Sequence, residues 1–109
     1  MEMKITKEIV DTNINVQLEG EIDAYTAPKL KEELYPLTEN GAVHITIDLS
    51  GVGYMDSTGL GVFVGLFKNV RAKGGDLQIV GLSERLERLF DITGLADIIH
   101  ITSETKGGI

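Results

Sequence analysis

Segments of two different periods succeed one another along this chain, and that succession constrains its fold more than any other feature. Ile14, Val16, Leu18 and Ile22 alternate with Asn15, Gln17, Glu19, Glu21 and Asp23, the one-for-one pattern of a strand with one buried face. Met3 to Ile9 alternates in the same way, and Asp11-Thr12-Asn13 between the two supplies turn residues, which predicts a hairpin. Thr26-Ala27-Pro28 reads as a helix start, a hydroxyl able to cap followed by a proline in the first turn, where its missing N–H is not needed. Leu30, Leu34 and Leu37 give that helix its apolar stripe, and Pro36 either kinks or ends it. Val43, Ile45, Ile47 and Leu49 return to strand alternation. Leu60, Phe63, Val64, Phe67 and Val70 then take helical spacing, closed by Lys73-Gly74-Gly75. Leu77 to Leu82 is a nearly continuous apolar strand. Ser83 caps a helix that turns Leu86, Leu89 and Phe90 inward and stops at Gly94-Leu95, and Ile98 to Ile101 forms a last strand.

The predicted order is β-β-α-β-α-β-α-β. Strands alternating with helices imply parallel pairs joined by right-handed crossovers, so the expected fold is α/β, a mixed sheet with helices packed on it. At 109 residues the chain has room for one domain, over 1–102, with 103–109 as a loose tail. A domain of this size buries roughly two-thirds of the surface its unfolded chain exposes, which suffices without staples. None are available, because there is no cysteine for a disulfide or a thiolate metal site. The amino-terminal residues lack the basic segment and apolar run of a signal peptide, and Leu60 to Val70 is too short to span a bilayer, so a cytoplasmic location is expected. With 17 acidic against 10 basic residues the formal net charge is −7, which repels phosphate backbones and argues against nucleic acid or an anionic membrane as partner.

The unusual features concentrate at Asp56-Ser57-Thr58-Gly59, on the carboxyl side of a predicted strand, where open α/β sheets place their sites. A helix start leaves backbone N–H groups unpaired and carries partial positive charge, so a phosphate on a hydroxyl there would find donors waiting. Phosphorylation would set about −1.5 to −2 charge on a surface where a partner meets a neutral hydroxyl. The plainer reading is that Asp, Ser and Thr are the residues that cap helices. Both hold if one residue caps while its neighbour faces out.

Catalytic readings lack parts. Asp56-Ser57-Thr58-Gly59 differs from the Asp-Thr-Gly of aspartic proteases by the inserted Ser57, and a helix follows it. A serine nucleophile has no Gly-x-Ser-x-Gly elbow here, and only His44 and His100 are present as bases. Gly59, Gly61 and Gly65 miss the dinucleotide fingerprint by one residue, and no Gly-Lys-Ser/Thr phosphate loop occurs. Glu19, Glu21 and Asp23 share a strand face but are spread along it, so a solvated face is expected rather than a metal site. Neither a catalytic set nor a cofactor is called for. Asp23 stands where the second strand turns into the first helix, and is expected on the same edge as Ser57.

Three stretches resemble the STAS-domain anti-sigma-factor antagonists of Gram-positive bacteria, closest to the general-stress branch that acts on the sigma-B system. They are Gly20-Glu-Ile-Asp23-Ala-Tyr-Thr-Ala-Pro28, Tyr54-Met-Asp56-Ser57-Thr58-Gly59-Leu-Gly61-Val-Phe63, and Leu82 to Leu95. The resemblance implies a single STAS domain and a partner-switching role. The unmodified protein would bind an anti-sigma factor that is also a serine kinase and so free the sigma factor. Phosphorylation of Ser57, with Thr58 as the alternative acceptor, would end the complex, and a PP2C-type phosphatase would reverse it. Asp23 and Asp56 fall at the family's acidic positions, and Gly59, Leu60 and Gly61 fall in its docking surface. A STAS scaffold or transporter-associated module, and more distantly a small hydrolase, are the alternatives. A monomer is the default.

Overall fold

The computed structural model describes residues 3–101. Strands β1 (Met3–Val10) and β2 (Asn13–Ile22) form the expected antiparallel hairpin, turning at Asp11, whose φ is 55°. After it come α1 (Ala27–Leu34), β3 (His44–Met55), α2 (Ser57–Ala72), β4 (Asp76–Val80), α3 (Glu84–Thr93) and β5 (His100–Ile101). Pro36 ends the first helix: α1 stops at Leu34 and a 3-10 turn takes over from Tyr35 to Thr38. The last strand is shorter than its apolar pattern suggests, since Leu95–Asp97 form another 3-10 turn and Ile98 closes it. The segment expected to be a loose tail lies outside the described residues.

The five strands lie side by side in chain order, β1 antiparallel to β2 and all later neighbours parallel. Each parallel crossover therefore steps the sheet in the same direction, and crossovers of one hand put every helix on the same face. The burial agrees. Ile14, Val16 and Leu18 of β2, Ile45, Ile47 and Leu49 of β3, and Leu77 and Ile79 of β4 form one cluster with Leu30 and Leu34 of α1, Phe63 and Leu66 of α2, and Leu86 and Phe90 of α3. Phe63 and Phe90, both fully buried, bring α2 and α3 together with ring centroids 6.4 Å apart. On the opposite face Asn15, Gln17, Thr46 and Asp48 remain at least partly open to solvent.

One strand departs from its sequence pattern in a way that shapes the site. β3 runs six residues past Leu49, through Gly51-Val52-Gly53-Tyr54-Met55, and stays paired with the second half of β2. The pairing shifts register twice, between Gln17 and Glu19 and between Gly20 and Glu21. Each bulge inserts a residue, so the buried side chains fall at Leu49, Val52 and Met55 instead of every second position. Beyond the second bulge Ile22 pairs with Met55. The next residues in the chain, Asp23 and Asp56, thus emerge side by side at the carboxyl edge of the sheet, and the amide of Asp56 donates to the carbonyl of Ile22 at 3.2 Å.

Candidate functional site

Asp56 is the N-cap of α2. Its backbone is extended, and its Oδ1 accepts the amides of Thr58 at 3.0 Å and Gly59 at 3.1 Å. Capping and exposure are therefore divided between neighbours: Asp56 caps, and Ser57, the first helical residue, faces solvent. Among the described residues the Ser57 hydroxyl has no hydrogen-bond partner. One expectation changes. Two of the first-turn amides that were to receive a phosphate on Ser57 are already taken by the Asp56 carboxylate.

The turn before α1 is built differently from its sequence reading. Thr26 holds the N-cap position but makes no side-chain cap to the helix. Its buried hydroxyl instead accepts the amide of Asp23 at 2.9 Å and donates to the carbonyl of Glu21 at 2.9 Å. Asp23 braces the turn ahead of the helix, its Oδ1 accepting the amides of Tyr25 at 2.9 Å and Thr26 at 3.1 Å. Those donors, the Thr26 amide first, hold the Asp23 carboxyl below its ordinary value of 3.8 against the opposing effect of desolvation. Both acids of the site thus spend Oδ1 on nearby backbone amides, Asp23 in the turn before α1 and Asp56 in the first turn of α2.

The other predicted site residues separate by burial. Thr58 and Gly61 are exposed on α2 beside Ser57. Gly59 and Leu60, placed in the docking surface by the resemblance, are buried: Leu60 is 5% exposed, and a Cβ on Gly59 would stand 2.5 Å from Ile22 and 3.0 Å from Met55. They seat α2 on the sheet beneath the exposed residues. His44 lies at the far end of β3, 3.7 Å from Asp76, and cannot serve Ser57 as a base. Among the described residues no three His, Asp or Glu side chains converge as metal ligands would.

Two hollows flank Ser57. One, of about 600 Å³, is lined by Glu21, Asp23, Tyr25, Tyr54, Asp56 and Arg85. The other, of about 410 Å³, lies between α1 and α2 and includes Pro28, Lys31, Tyr35, Thr58 and Gly61. Asp56 borders the first and Thr58 the second, so Ser57 stands on the ridge between them. Tyr25, Tyr54 and Arg85 were not singled out from the sequence. Two tyrosines beside the paired acids are a usable signal, whereas only the fold brings Arg85 to them.

A STAS domain model matches residues 3–107. The chain belongs to the STAS family. It is 58% identical over 99 residues to the anti-sigma-B factor antagonist of Bacillus subtilis (strain 168), covering 91% of this chain and 90% of the relative. It is 55% identical to the protein of that name from Listeria monocytogenes, over 87% of this chain and 83% of the relative. Among solved structures, this STAS domain superposes on an anti-sigma factor antagonist from Mycobacterium paratuberculosis with a TM-score of 0.86 at 23% identity, covering 98% and 91% of the two chains. The anti-sigma factor antagonist SpoIIAA in its unphosphorylated form gives a TM-score of 0.76 at 20% identity, covering 95% and 92%. These structural likenesses establish a shared fold, the α/β single domain expected from the sequence. No described helix is long and apolar enough to cross a membrane.

Proposed function

We propose that this STAS domain is an anti-sigma factor antagonist that works by partner switching. With Ser57 unmodified it binds an anti-sigma factor that is also a serine kinase, and the sigma factor is released to promote stress transcription. The kinase phosphorylates Ser57 and the complex is lost; a PP2C-type phosphatase restores it. The chain acts by binding, not by catalysis.

The observation that carries this reading is the exposed, unbonded Ser57 hydroxyl on a ridge of α2, next to two carboxylates whose positions the sheet fixes. A second feature of the ridge supports it. Glycine inside a helix costs about 1 kcal/mol relative to alanine. At Gly59 and Gly65 close packing accounts for it, since a Cβ would strike Ile22 at the first and the Tyr35 hydroxyl at the second. At Gly61 a Cβ would meet nothing within 4 Å, and the position is exposed. The fold has no use for a bare backbone there. A partner laid against α2 does, and Thr58 and Gly61 put it over Ser57.

A phosphoryl group on that ridge brings like charge to Asp23 and Asp56 and bulk to the closest point of approach. Binding of the purified kinase, measured by titration calorimetry, tests this directly. Ser57→Asp should weaken it roughly 100-fold or more, because a misplaced charge in an interface costs several kcal/mol. Ser57→Ala should bind and stay bound in the presence of ATP. Undiminished binding by Ser57→Asp with an unchanged circular dichroism spectrum rejects the switch.

A further inference from the structure

The hollow at the paired acids does not end there. Tyr54 and Arg85 line it, and both also line a second hollow of about 570 Å³ that continues along α3 past Arg88 and Leu89 to Ile92. The two form one groove, and its apolar content is unusual for an exposed surface. Six large apolar side chains are exposed among the described residues, and three of them, Tyr25 (87%), Tyr54 (45%) and Ile92 (83%), stand on this groove. Contiguous exposed apolar surface marks an interaction site more often than chance exposure does.

α3 carries two stripes. Of the three residues expected to face inward, Leu86 and Phe90 are buried in the core, and Leu89 is half-buried against it with one side open to the hollow. Arg85, Arg88, Leu89 and Ile92 recur at i, i+3, i+4 and i+7, which lines them up along a second side of the same helix. Glu84 lines the same hollow, so with Arg85 and Arg88 that side keeps one net positive charge on a chain of net charge −7. Arg85 is exposed and has no ion pair or hydrogen bond among the described residues. Arg88 reaches only Glu84, at 3.9 Å between two exposed side chains, a pairing that holds it weakly.

Resting on the partner-switching reading, we infer that the groove from Tyr54 to Ile92 is a second half of the docking surface, and that it receives an acidic, apolar segment of the same anti-sigma factor. Three observations choose this occupant. The two arginines beside apolar side chains are complementary to carboxylates interleaved with apolar residues. The groove is continuous with the ridge through Tyr54 and Arg85, so a protein seated over Ser57 already lies at its mouth. Finally, a stable complex needs about 800 Å² from each partner, or some 20–30 residues a side, more than the three small ridge residues Ser57, Thr58 and Gly61 present by themselves. An antagonist that sequesters its target needs that area; a phosphatase that visits Ser57 and leaves does not.

The test uses the intact protein and its purified kinase. Ile92→Ser and the double variant Arg85→Glu/Arg88→Glu alter exposed positions, so both should keep the wild-type circular dichroism spectrum and melting temperature. Each should weaken kinase binding by about tenfold, the size of an interface position that matters. The double variant should also flatten the salt dependence of binding. Removal of phosphate from Ser57 by the phosphatase should continue at the wild-type rate. Wild-type kinase affinity in both groove variants, with Ser57→Asp still disruptive, overturns the groove and leaves the switch standing. Weakened groove variants with an ineffective Ser57→Asp do the reverse. Slowed dephosphorylation at unchanged kinase affinity overturns the assignment to the kinase and gives the groove to the phosphatase. No binding by the wild type rejects both readings.

Discussion

Asp23 and Thr26 bond each other reciprocally: the Thr26 hydroxyl accepts the amide of Asp23 at 2.9 Å, and the Asp23 carboxylate accepts the amide of Thr26 at 3.1 Å. Each side chain satisfies the other residue's backbone donor, which closes the turn that leads into α1. Because the Thr26 hydroxyl also donates to the carbonyl of Glu21, the last turn of β2 and the first of α1 are locked as one unit.

Thr26→Val removes the hydroxyl's bonds to the Asp23 amide, the Glu21 carbonyl and, at 3.3 Å, the Asp23 carboxylate, while keeping the shape. It leaves a half-buried amide without its acceptor, so urea unfolding should show a loss of about 1–3 kcal/mol. Thr26→Ser should recover most of it. Thr26 also lowers the Asp23 carboxyl through its hydroxyl, so in Thr26→Val that group, followed by NMR, should titrate closer to its ordinary value of 3.8.

The sign of the accompanying pH dependence follows from the same group. The folded protein holds the Asp23 carboxyl below its unfolded value. Its contribution to stability is therefore present above the unfolded value and is lost as pH falls through the lower, folded one. Acid titration of the melting temperature should show a steeper fall below the ordinary carboxylate range in the wild type than in Asp23→Asn.

Gly59 and Gly61, two residues apart on one helix, should respond to alanine in opposite directions. Gly59→Ala forces a Cβ against Ile22 and Met55 and should destabilise by about 1–3 kcal/mol. Gly61→Ala meets nothing within 4 Å and should stabilise by about 0.5–1 kcal/mol. The same Gly61→Ala protein should bind the kinase less well. A variant that is more stable and binds equally well would show that the bare backbone at this position has no role in docking.

Phosphorylation of Ser57 places a phosphate beside the Asp56 carboxylate that already occupies the Thr58 and Gly59 amides. The neighbouring negative charge disfavours the dianion, so the second phosphate pKa should lie above its usual value of about 6. Phosphorus NMR of the phosphorylated protein reads it directly. Asp56→Asn keeps a capping oxygen and should bring the value down.

Elements whose apolar residues keep a single period were legible in the sequence. The hairpin, α3 with its Ser83 cap, where Oγ accepts the Leu86 amide at 3.3 Å, and the left-handed stop at Gly94 appear as expected. The end of β3 was not legible as strand, because two bulges turn its buried positions into the spacing 49, 52, 55, which fits neither a regular strand nor a helix. At the site, Asp23, Asp56 and Ser57 could be named from residue types, but the assignment of roles could not. That Thr26, read as a helix cap, instead ties its hydroxyl to Asp23 and Glu21 depends on a turn geometry that the letters do not carry. Arg85 lies 29 positions beyond Asp56 in the chain, and only the order of the strands brings it to the same hollow.

The anchoring of Ser57 also bears on how long a signal lasts. Its helix is held from below by Phe63 and Leu66, both fully buried, and its first turn is fixed by Asp56 to a strand end. A modification at such a point has nothing to push. Under the proposed switch, the domain would keep no record of past stress in its shape, and its recovery time would follow the competing rates at which the phosphate is added and removed. On that reading, changing the amounts of the proposed kinase and phosphatase would retune the response with this chain left as it is.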